Sequence, residues 1–105
     1  MAALILVKPD VDWQASSGLF DFAVEFLIPR MSDRAAADWM RTVVDNNLGS
    51  LWLTEFSAQT QREVFELWRA GLLEAAERSI PDSPGRASAL AKLQELVDLT
   101  ADASP

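Results

Sequence analysis

The sequence predicts a mainly α fold. The expected architecture is a small single-domain bundle of three to four helices, with a short two-stranded β-ribbon from residues 4–8 and 51–54. Three observations point there. Two long stretches, 33–47 and 57–80, repeat apolar residues at spacings of three and four, the period of a helix with one buried face. Ser, Asn, Gly and Pro stand at the ends of those stretches, where helix caps and stops belong. The 105 residues, 50% hydrophobic and 24% charged, have the balance of one folded domain rather than a disordered chain. The domain is expected to occupy residues 1–99, with 100–105 a frayed tail.

Leu4 to Lys8 is a run of Ile, Leu and Val closed by Pro9, which suits a short buried strand. A lone strand leaves its backbone groups unpaired, and Leu51-Trp52-Leu53-Thr54, after the Gly49-Ser50 break, is the internal candidate to pair with it. The alternative is that both runs are extended segments packed on helices. Asp10 to Gly18 reads as a loop. Ser16 or Ser17 caps a helix from Leu19 to Ile28, stopped by Pro29, although Phe20, Phe22, Val24, Phe26 and Ile28 also alternate as in a strand.

Ser32 is the expected cap of the next helix, with Asp33 in its first turn and Ala36, Trp39, Met40, Val43 and Val44 as its apolar stripe. Asn46-Asn47-Leu48-Gly49 supplies the stop. The longest helix starts at Ser57 and ends near Ile80, before Pro81. Val64, Phe65, Trp68, Leu72, Ala75 and Ala76 form its main stripe, and Leu67 and Leu73 widen it enough to suggest a second neighbour. Glu74 and Arg78 make an i, i+4 pair worth roughly 0.2–0.5 kcal/mol. Gly71 inside this helix costs about 1 kcal/mol relative to alanine and marks a close crossing or a kink. Ser83, followed by Pro84, opens the last helix, with Leu90, Leu93, Leu96 and Val97 inward.

Composition narrows the function. The chain has no histidine and no cysteine, so it has neither an imidazole to move protons near neutrality nor a thiolate to attack a carbonyl or bind zinc. Its glycines are isolated and no serine sits in a nucleophile elbow, so no phosphate-cradling loop or cofactor motif is present and no cofactor is expected. Sixteen acidic residues against nine basic ones give a net charge of −7. That field repels phosphate backbones and draws basic proteins. The terminal apolar run lacks a basic flank and is cut short by Lys8 and Pro9. The chain is therefore expected to be cytoplasmic, without contact to membrane or nucleic acid. A preference for Arg over Lys, with sixteen alanines, suggests a GC-rich bacterial genome.

Asp10-Val11-Asp12 offers two carboxylates to a hard cation, too few for a site without further oxygens; a solvated turn is the plainer reading. Asp21 and Glu25 share a helix face, where a buried pair could hold a raised pKa; a polar stripe on an otherwise apolar helix is the plainer reading. Trp39 and Trp68 lie on helical stripes and are expected in the core. Trp13 follows Asp10 and Asp12, and Trp52 precedes Glu55. Asp10, Asp12, Trp13, Trp52 and Glu55 are therefore the candidate partner-binding residues, an aromatic anchor ringed by acids. The simpler alternative is that both rings plug the ends of the bundle.

The function expected on these grounds is a non-enzymatic acidic protein–protein interaction module, specifically an immunity-protein or antitoxin-like inhibitor of a basic effector. The alternatives are a small helical adaptor or homodimeric subunit, and a carboxylate- or metal-dependent enzyme.

Overall fold

Helices dominate the chain, but the sheet is larger than a ribbon. The computed structural model describes residues 2–102. It contains β1 (Ala2–Lys8), β2 (Val11–Ser16), α1 (Ser17–Leu27), α2 (Arg34–Asp45), β3 (Ser50–Trp52), a 3-10 turn (Leu53–Glu55), α3 (Ala58–Leu67), a π-helical turn (Trp68–Leu72), α4 (Leu73–Ser79) and α5 (Arg86–Asp102).

The three strands run in the order β2-β1-β3, so β1 is central. The expected pairing of the first apolar run with the segment after Gly49 is present. It is a parallel pairing and covers less of the second segment than 51–54: Leu4, Ile5 and Leu6 face Ser50, Leu51 and Trp52. The loop expected over 10–18 is largely a strand. Pro9-Asp10 turns the chain, and β2 pairs antiparallel with β1, Ile5 opposite Trp13 and Leu6 opposite Asp12, with an irregularity between Leu6 and Lys8. Its alternation escapes notice because only Trp13 and Ala15 are buried on it, with exposed Asp12, Gln14 and Ser16 between them.

Helix α1 settles the ambiguity of residues 19–28 in favour of helix. The Ser16 hydroxyl accepts from the Leu19 N–H at 3.3 Å, and Phe20, Ala23, Val24 and Leu27 turn to the core at helical spacing. At α2 the cap is Asp33 rather than Ser32, because the Asp33 carboxylate accepts from the Ala36 N–H at 3.1 Å. The α2 stop is a Schellman motif. The Asn47 N–H donates to the Val44 carbonyl and the Leu48 N–H to the Val43 carbonyl, with Asn47 at φ 49° and Gly49 at φ 78°.

From Ala58 to Ser79 the backbone is continuous helix, capped by Ser57 and widened into a π turn around Gly71. A methyl group on Gly71 would stand 3.2 Å from the Phe26 ring, so this is a close crossing with α1. Helix α5 begins at Arg86, two residues after the expected Pro84; Ser83 lies in the preceding turn, where its carbonyl accepts from the Arg86 N–H at 3.0 Å. The Arg86 guanidinium donates to the carbonyls of Ile80 and Glu77, a cation at the end of α4. Helix α5 passes through Thr100, which is buried and donates to the Val97 carbonyl at 2.6 Å. The tail expected from residue 100 is thus helical as far as Asp102, and 103–105 lie outside the described residues.

The helices cover one face of the sheet. Ala3, Ile5, Val7, Trp13, Ala15 and Leu51 point into a core shared with Phe20, Leu27, Met40, Phe65, Trp68, Leu72, Leu93 and Leu96. Trp13 donates from Nε1 to the Lys92 carbonyl at 2.9 Å and Trp68 to the Ala23 carbonyl at 3.1 Å, so each indole is satisfied while buried.

Candidate interaction surface

Side chains alternate across a sheet, so burying Ile5, Val7, Trp13 and Leu51 sends Leu4, Leu6, Asp12, Gln14 and Trp52 to the opposite face. Asp12, Leu6 and Trp52 form one row across the three strands, and Gln14, Leu4 and Ser50 the next. Leu4, Leu6, Pro9, Asp10, Asp12 and Trp52 line a shallow depression of about 340 Å³ on this face. Trp52 is 50% exposed there, and the Gln14 amide donates to the Asp12 carboxylate at 3.0 Å.

Three of the five residues singled out in the sequence, Asp10, Asp12 and Trp52, therefore meet in one place. Glu55 is exposed in the 3-10 turn just beyond Trp52 but does not line the depression. Trp13 is a correction: its ring is fully buried, because odd-numbered positions of β2 face the helices, and it cannot offer a surface to a partner. Leu4 and Leu6 were missed because Leu4-Ile5-Leu6-Val7 is apolar throughout, and such a run hides which parity faces out. The signal that could have found them is the partner strand: Asp12 and Gln14 are polar, so the β1 residues opposite them are the outward ones.

Trp39, expected in the core, is 48% exposed. The buried stripe of α2 is Ala36, Ala37, Met40 and Val43, and Trp39 falls beside it. Leu48 is equally exposed, at 49%. Leu67 and Leu73, whose apolar excess suggested a second neighbour, pack partly against the core of their own chain.

A larger concavity of about 480 Å³ lies where the N-termini of α2 and α3 meet, lined by Ser32, Asp33, Ser57, Thr60, Arg62 and Glu63 among others. Five of its groups, Ser32, Asp33, Ser57, Thr60 and Glu63, are bonded in two sets. Asp33 accepts from the Thr60 hydroxyl at 2.9 Å, Ser57 and Thr60 share a bond of 3.0 Å, and Glu63 accepts from both the N–H and the hydroxyl of Ser32. The Ala36 N–H, and after it the Thr60 hydroxyl, hold the Asp33 carboxyl below the usual aspartate range. This is a pair of helix caps cross-linked through Asp33 and Thr60.

Among the described residues no three carboxylates gather in a group able to hold a metal ion. Asp21 is half-buried and Glu25 exposed on α1. Among the described residues no helix is long and apolar enough to cross a membrane. No protein-family model matches the chain, and neither the curated proteins nor the solved structures contain a match.

Proposed function

We propose that this chain is a non-enzymatic, acidic protein–protein interaction module, specifically an antitoxin- or immunity-like inhibitor that covers a basic effector in the bacterial cytoplasm. The observation that carries the reading is the sheet face away from the core, where a half-exposed Trp52 and the side chains of Leu4 and Leu6 lie beside Asp10 and Asp12. An exposed aromatic in a shallow apolar depression is the kind of anchor on which binding energy concentrates. Carboxylates at its margin, in a chain of net charge −7, speed the capture of a positive partner and oppose a negative one. A nuclease or similar effector that reads phosphate would meet carboxylates in its place.

The test is titration against basic effector domains encoded beside this chain, over a salt series. Trp52→Ala is expected to weaken binding by about thirtyfold or more, through faster dissociation. The double substitution Asp10→Asn and Asp12→Asn is expected to slow association and flatten its salt dependence. No binding to any such effector at low salt overturns the inhibitor reading.

A further inference from the structure

The backbone of β2 carries a second feature on the same side of the molecule. Along a strand, each residue directs its N–H and C=O to one side and the next residue directs them to the other. The Leu4 N–H donates to the Gly49 carbonyl at 2.9 Å, so Leu4, and by alternation Leu6, turn their backbone groups toward β3. Leu4 stands opposite Gln14 and Leu6 opposite Asp12. Those are accordingly the non-hydrogen-bonded pairs of the antiparallel ladder, and Asp12 and Gln14 direct their N–H and C=O groups away from β1. Among the described residues no strand lies beyond β2 on that side, and Asp12 and Gln14 are both exposed.

We propose that this free edge of β2 accepts an extended, basic segment of a partner protein as a fourth strand. The argument for that occupant is charge. A strand docked there would place one side chain beside Asp12 on the open face, about 4.5–5.5 Å away between Cβ atoms, with Asp10 at the turn next to it and Gln14 opposite the following outward position. Lysine or arginine at the position opposite Asp12 is matched, and aspartate or glutamate there is repelled. A second copy of this chain is disfavoured by charge, since both molecules carry −7. The edge of β3 is a poorer acceptor: Ser50-Leu51-Trp52 is three residues long and carries no acid. Main-chain bonds would supply affinity and the aspartates the choice of partner, as in other strand-addition complexes.

This proposal rests on the acidic-partner reading and narrows how the partner engages. The probe is an eight-residue peptide alternating lysine with threonine and valine, added at low salt to the full-length chain labelled for amide hydrogen exchange. Protection of the Asp12 and Gln14 amides is expected. Gln14→Pro removes an outward donor that the internal ladder does not use, and is expected to weaken the peptide by about tenfold. A peptide N-methylated on alternate residues, which cannot pair with the edge, is expected to bind as weakly. The methylated peptide acts on the ligand, so it decides the question even where the proline variant fails to fold. Equal binding by the methylated peptide with both amides unprotected overturns the edge and leaves an acidic surface that captures cations by another route. Failure of the peptide to bind at millimolar concentration also overturns the edge alone, because the effector titration tests the acidic-partner reading separately.

Discussion

Trp13 and Trp68 do similar work in the core. Each buries a large ring, and each spends its one N–H on a carbonyl of another element, Lys92 in α5 and Ala23 in α1. Trp68→Phe removes the donor while keeping most of the apolar volume. It is expected to destabilise the fold by about 1–3 kcal/mol, measured by urea unfolding, because a buried polar pair is broken from one side. Gly71 is constrained by a neighbour rather than by its own backbone. With the Phe26 ring 3.2 Å from the position of an added methyl, Gly71→Val has to push that ring aside and is expected to cost about 1–3 kcal/mol. Gly71→Ala is expected to cost less in the same assay, since the gain in helix propensity, about 1 kcal/mol, offsets the smaller displacement.

At the scale of elements, the caps of α2 and α3 are one unit. Asp33 closes the first turn of α2 and also accepts from Thr60 in the first turn of α3, so one carboxylate ties two helix starts together. Its folded pKa is lowered from the ordinary 3.8, chiefly by the Ala36 N–H and then by Thr60. A lowered carboxylate pKa contributes stability that is complete above the unfolded value and disappears as pH falls through the folded one. The gap in Tm between the parent chain and Asp33→Ala is therefore expected to be constant above about pH 5 and to narrow below 3.8. A gap that does not change with pH would remove the carboxylate from this account. The sequence shows that a cap belongs at Ser32-Asp33, since both residue types cap helices. Which one does so depends on where the chain leaves the turn after Pro29 and on Thr60, twenty-seven residues away.

Across the whole molecule, the four tryptophans divide evenly between a dry interior and the surface. Trp13 and Trp68 are fully buried, while Trp39 and Trp52 are about half exposed. Acrylamide is expected to quench two populations of fluorescence, with the accessible one lost in Trp39→Phe and Trp52→Phe together. A bound partner on the open sheet face is expected to shield the Trp52 component and leave the Trp39 component accessible. These surface groups, with the acids at residues 10 and 12, lie on a molecule of net charge −7.

The readings legible in the chain alone were local and periodic: the helices of 33–47 and 57–80, the Ser57 cap of α3, the stop after Asp45, and a net charge of −7. These follow from neighbours within one or two turns, and a single chain displays them directly. The tertiary structure decided which side of each apolar segment faces out. Leu4-Ile5-Leu6-Val7 is uniformly greasy; Trp13, among acids, reads as exposed and Trp39, on a helical stripe, as buried, and the fold reverses both. Only the pairing of β1 with β2 and β3 sends Trp13 inward and gathers Leu4, Leu6, Asp10, Asp12 and Trp52 on one face. Strand parity is set by contacts between distant residues, and shifting a strand by one position would exchange its faces.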